Sequence, residues 1–123
     1  MTSDEAQAFA SQWAEAWNGR EIERVLNHFH DDVEFTSPTA VTVMGVATVR
    51  GKGPLREYWA RALARIASLR FTVDRLVWDA DRHELAIIYT SETDGKRKRV
   101  SENLRFNPAG QVAAAEVFHG VAV

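Results

Sequence analysis

Moving a proton on or off carbon takes an acid kept out of bulk water and a base poised near neutrality, and few residues of this chain could fill either role. Glu102 lies in Val100-Ser-Glu-Asn-Leu-Arg-Phe106, where apolar and polar residues alternate. In a strand, that spacing puts its carboxyl on one face with Val100, Leu104 and Phe106. Burial there raises a carboxyl pKa and suits the group to donate or shuttle a proton. His119, near the end of the last alternating run, is the natural general base. Each has a plain structural alternative. Glu102 could be an acid satisfied by Trp13 or water in a cavity with no ligand, and His119 a histidine on a frayed terminal strand.

Other chemistry is weaker. His28-Phe-His30-Asp31-Asp32 has the residue types of a metal site, but side chains two apart on a helix diverge, and a catalytic zinc needs three that converge. No metal or other cofactor is expected. Lys96-Arg-Lys-Arg99 resembles a basic patch, yet strand alternation divides its charges between two faces. The chain has no cysteine, which excludes disulfides, thiolate metal sites and a thiol nucleophile. With a net charge of −2, bulk electrostatics do not favour nucleic acid. No apolar run reaches the roughly 18 residues of a membrane helix, and the start, Met-Thr-Ser-Asp-Glu, is acidic where a secretory signal is basic. A cytoplasmic protein without nucleic-acid or membrane partners is expected.

The elements that must position these groups fit one domain over 123 residues, long enough for a single core. Thr2-Ser-Asp-Glu5 reads as a capping box, followed by Phe9, Trp13, Ala16 and Trp17 at helical spacing and by Asn18-Gly19 as the stop. A second helix is predicted from about Arg20 to Phe29, and a short strand over Val33–Ser37 ended by Pro38. Residues 39–50 are β-rich and left open. Gly51 to about Ser68 reads as a third helix, carrying Leu55, Tyr58, Trp59, Ala62, Leu63 and Ile66. Four strands follow, over 69–79, 84–93, 97–106 and 111–119, with Asp94-Gly95 as the strongest hairpin signal. Helices first and strands after give an α+β meander.

A two-residue turn at Asp94-Gly95 sets Ile87 opposite Glu102, Tyr89 opposite Val100 and Ser91 opposite Lys98. A four-residue loop over 107–110 sets Glu102 opposite Ala115 and Lys98 opposite His119. One face then carries Ile87, Tyr89, Val100, Glu102, Leu104, Phe106, Ala115, Val117 and His119, and should curl round the helices. On this register His119 lies about 13 Å from Glu102's partner, too far for a hydrogen-bonded dyad. Lys98 would guard the mouth, favouring an anionic or carbonyl-bearing ligand. The other face, with Ala86, Ile88, Asn103, Arg105, Val112, Ala114, Glu116 and Phe118, suits a second sheet, most simply that of a homodimer.

The chain resembles the nuclear transport factor 2-like superfamily, and within it SnoaL-like polyketide cyclases and ketosteroid isomerases. The resemblance rests on Trp13-Ala-Glu-Ala-Trp-Asn-Gly, Phe29-His-Asp-Asp-Val-Glu-Phe-Thr-Ser-Pro, Leu55-Arg-Glu-Tyr-Trp and Glu102-Asn-Leu-Arg-Phe-Asn-Pro-Ala-Gly-Gln-Val. It implies a cystatin-like cone: a strongly curved, mostly antiparallel sheet round three N-terminal helices, usually dimeric, with an apolar cavity. Of the isomerase roles, Ser37 stands where the family has its carboxylate base, Trp13 where it has an oxyanion-hole tyrosine, and Glu102 where it has a protonated aspartic acid; Trp59 matches a third pocket aromatic. Steroid isomerisation itself is not expected. The resulting expectation is cofactor-free proton transfer on a small apolar or polycyclic molecule, as an isomerase, cyclase or dehydratase. Glu102 and His119 would be catalytic, and Trp13, Trp17, Ser37, Trp59, Ile87, Tyr89, Leu104 and Val117 would form the walls. A non-catalytic binding or dimerisation module of the same fold is the alternative.

Overall fold

A computed structural model describes residues 1–123. Helix α1 (Ser3–Asn18) starts at the expected capping box: Thr2 Oγ1 accepts from Glu5 N–H, and Thr2 N–H donates to Glu5 Oε1. Its buried stripe is Ala6, Ala10, Trp13, Ala16 and Trp17. Small residues at three of those five positions let the helix approach the sheet closely, so the two indoles reach across it. Asn18 does more than end the helix. Its side-chain amide donates to Phe71 C=O at 3.1 Å and accepts from Phe71 N–H at 2.7 Å, tying α1 to an edge strand whose backbone groups would otherwise be unpaired.

Helix α2 (Ile22–Leu26) is shorter than predicted, and strand β1 (Phe29–Thr36) starts where that helix was expected to end. Tertiary pairing overrides the helical pattern here: Val112 N–H donates to His28 C=O, and the fully buried Phe29 pairs with Val112. Residues 39–50, β-rich in composition, fall mostly in helix α3 (Pro38–Met44) and strand β2 (Thr48–Arg50). Ser37 caps α3 by accepting from Thr39 N–H, Pro38 occupies the first turn, and Gly45 closes the helix at φ 76°. Helix α4 (Lys52–Ala64) follows, ending a turn earlier than predicted.

Strands β3 (Leu69–Asp79), β4 (Glu84–Thr93), β5 (Lys96–Phe106) and β6 (Val112–Ala122) complete a six-stranded curved sheet in the order β2-β1-β6-β5-β4-β3, antiparallel except for β1 beside β6. Helices pack on its concave side, giving an α+β cone. The β4–β5 register is the predicted one, with Ile87 opposite Glu102 and Tyr89 opposite Val100. Asp94 and Gly95 both take positive φ in its turn. Asp94 Oδ1 also accepts from Ala67 and Ser68 N–H, fixing the end of the α4–β3 connection to the hairpin.

The β5–β6 register is corrected by two residues. Gln111 belongs to the loop, where its N–H donates to Asn107 Oδ1, and a bulge at Arg105–Phe106 absorbs one residue more. Glu102 therefore faces Val117 rather than Ala115, Val100 faces His119, and beyond a second irregularity between Lys98 and Val100, Lys98 faces Ala122 rather than His119. An even slip preserves which face each side chain takes, so Glu102, Ala115 and Val117 stay inward. Val112, expected outside, is fully buried because the bulge turns it in against Phe29. No helix is long and apolar enough to cross a membrane.

Candidate functional site

Between the helices and the concave sheet face lies a partly open cavity of about 210 Å³, lined mostly by apolar side chains. Trp17 comes from α1, Tyr58 and Trp59 from α4, Phe71 from β3, Tyr89 from β4, Glu102 from β5 and Val117 from β6. Ser37 and Thr39, at the start of α3, add hydroxyls. The aromatic rings support one another: Trp59 meets Trp17, Phe29 and Phe35 edge-on, with ring centres 4.8 to 5.5 Å apart. Such a wall is preorganised, since no ring can turn without displacing another.

Glu102 is 4% exposed, between Ile87 and Val117 on the neighbouring strands. Tyr89 O–H donates to its Oε1 at 3.2 Å. Burial pushes the carboxyl from 4.5 up to about 7, and the Tyr89 hydrogen bond and the nearby Trp13 N–H hold it back from rising further. Trp13 Nε1–H nevertheless makes no hydrogen bond of good geometry, and neither does Trp17 Nε1–H. The Tyr89 phenol is driven well above its usual range by burial, then by the Glu102 charge. Burial also raises Tyr58, partly offset by Ser37, and the Glu102 charge adds to the rise. Near pH 7 the inner end thus holds an acid close to half-protonated beside two neutral phenols, able to give a proton, take one, or donate to an oxygen.

At the mouth stand Lys98 and His119, with Nζ 3.1 Å from Nδ1. Burial lowers the His119 pKa and the Lys98 charge lowers it further, so the ring is neutral at pH 7 and accepts from the ammonium. The corrected register brings His119 to two residues from Glu102's partner, about 7 Å along the strand. Its acceptor lone pair, however, is taken by Lys98.

Of the expected site residues, Glu102, His119, Trp17, Ser37, Trp59, Tyr89 and Val117 line the cavity. Trp13, Ile87 and Leu104 do not; all three are buried behind it. Trp13 packs edge-on against Tyr89 and stacks on Phe71, so it reaches the cavity only through those rings. Sequence reasoning assigned no site role to Tyr58, Thr39 and Phe71. Tyr58 was already on the inner face of its helix, and Ser37-Pro38 followed by Gly45 was the signal for the helix start that places Thr39. His28 packs on Phe9, whereas His30 Nδ1 accepts from Asp32 N–H; they do not converge.

The SnoaL-like domain model matches residues 10–119. A SnoaL-like protein of unknown function from Burkholderia thailandensis E264 is similar at 29% identity, covering 98% of both chains with a TM-score of 0.88. A protein of cystatin-like fold from Methylobium petroleophilum PM1 shares 20% identity over 98% of this chain and 79% of its own, at TM-score 0.78. One with a ketosteroid isomerase-like fold from Catenulispora acidiphila DSM 44928 shares 17% over 91% and 85%, at 0.69. No curated protein matches the chain.

Proposed function

The chain belongs to the SnoaL-like domain family, and from that premise we propose that it is a cofactor-independent proton-transfer enzyme acting on a small, largely apolar carbonyl compound. The observation that carries this reading is Glu102: a buried carboxyl with a pKa of about 7, facing an apolar cavity and held by a tyrosine. In its ionised half it takes a proton from the carbon beside a carbonyl. The electron pair moves onto the carbonyl oxygen, which would accept a hydrogen bond from Tyr58, a residue of the cavity lining. The same carboxyl then returns the proton, to that carbon or a conjugated one. Trp17, Trp59 and Val117 hold the apolar body and keep out water. His119, with its lone pair engaged by Lys98, serves at the mouth and not as the base.

The test uses 2-tetralone in D₂O, following exchange of the protons beside its carbonyl by NMR. Wild type exchanges them faster than buffer does, whereas Glu102→Gln binds the ketone but exchanges at the buffer rate. Binding with no exchange by wild type would favour a non-catalytic ligand-binding module. One observation supports that second reading: Ser37 is committed to capping α3, so the first strand supplies no base. We propose the protein to be a cytoplasmic homodimer through the outer sheet face, where Ile88 and Ala114 are half-buried and Phe118 is exposed on the isolated chain.

A further inference from the structure

The mouth of the cavity carries a charge that the proton-transfer reading leaves unused. Lys98 is the one Lys or Arg in the lining. Lys98 has no carboxylate within 4 Å, unlike its neighbour Arg99, and its polar partner is the neutral ring of His119 at 3.1 Å. An ammonium has three N–H donors. One is spent on Nδ1, leaving two donors and an unneutralised charge on a half-buried side chain. That burial lowers the Lys98 pKa, a cost that a docked anion would remove. Ser91, directly across from Lys98 on β4, and Thr93 put hydroxyls at the same end.

The inner end has the opposite character. Glu102 and Lys98 are four residues apart on β5, about 13 Å of strand, with Val100 between them and Leu63, Ile66 and Phe71 lining the cavity as well. We infer that the mouth is an anion subsite and the substrate an amphipathic acid, with its carboxylate on Lys98, an apolar body in the aromatic cavity and an oxygen at the Glu102 end. The inference builds on the proposed function by naming the substrate class of the same site. Lys98 fixes which end enters first: a carboxylate meets an ammonium at the mouth, whereas at the inner end it would meet an acid that is itself half-ionised.

Two probes of matched shape test it, 6-hydroxy-2-naphthoate and 6-hydroxy-2-naphthamide, their dissociation constants measured by titration calorimetry at pH 7. A charged hydrogen bond at a partly solvated mouth should favour the carboxylate about tenfold. Lys98→Met keeps the apolar stem and should erase that preference by weakening the naphthoate alone, whereas Lys98→Arg should keep it. Glu102→Gln should leave the ratio of the two constants unchanged. Equal affinity in wild type, or a preference that survives Lys98→Met, overturns the mouth subsite and leaves the proton-transfer reading standing. A ratio that collapses in Glu102→Gln overturns the orientation. If neither probe binds at millimolar concentration, both the subsite and the cavity reading fail.

Discussion

Replacing Glu102 with Gln removes a titrating proton while keeping the shape and the Oε1 that Tyr89 bonds. Folding raises the carboxyl pKa from 4.5 to about 7. At about 1.36 kcal/mol per unit, this shift corresponds to about 3 kcal/mol. Between those two pH values the folded protein retains a proton that the unfolded chain has released, so stability falls as pH rises through the interval and levels off above it. Glu5, Glu23, Asp74 and Asp94 are held below their ordinary values by hydrogen bonds, so they act at lower pH. His28 and His119, lowered by burial, act near the same interval with opposite sign, gaining stability as pH rises. All six groups are present in both proteins and cancel in the difference. Urea unfolding at half-unit steps from pH 4.5 to 8.5 should therefore show the variant gaining about 3 kcal/mol on wild type across that range. A difference curve that stays flat would show that the carboxyl titrates alike in the folded and unfolded chains, and the account of the site would fail.

Three further outcomes follow from the same geometry. Tyr89→Phe removes the donor that favours the Glu102 anion, so the midpoint of the Glu102 titration should rise by about one unit; an unchanged midpoint would refute that hydrogen bond. Asn18→Ala deletes both bonds to Phe71 on the edge strand and should cost about 1–3 kcal/mol in urea unfolding, against less than about 0.5 if the clamp is idle. Phe118→Glu puts a charge on the outer sheet face and should turn a sedimenting dimer into a monomer; a wild type that sediments as a monomer at micromolar concentration would overturn the dimer.

Legibility differed from element to element. Where local chemistry decides, the sequence sufficed: Thr2 and Glu5 mark the start of α1, and Asp94-Gly95 sets the β4–β5 register residue by residue. Where pairing across the fold decides, it misled. Nothing near His28 or Phe29 announces that β6 will claim their backbone, and Val and Thr over 39–43 hid a helix whose start, Ser37-Pro38, and stop, Gly45, were in view. The β5–β6 slip arose because loop and bulge residues look alike in sequence. It left the inner face intact, since two is the strand period, so Glu102 was placed inward as expected but with the wrong neighbour. Trp13, Ile87 and Leu104 were rightly placed inside, but depth behind the wall is set by the helix's distance from the sheet, which periodicity does not encode.

The most direct test is to titrate the Glu102 side-chain carboxyl carbon by NMR in ¹³C-labelled protein, assigned with Glu102→Gln. Protonation with a midpoint near 7 is the predicted result. A midpoint close to 4.5, that of a carboxyl in water, would contradict it.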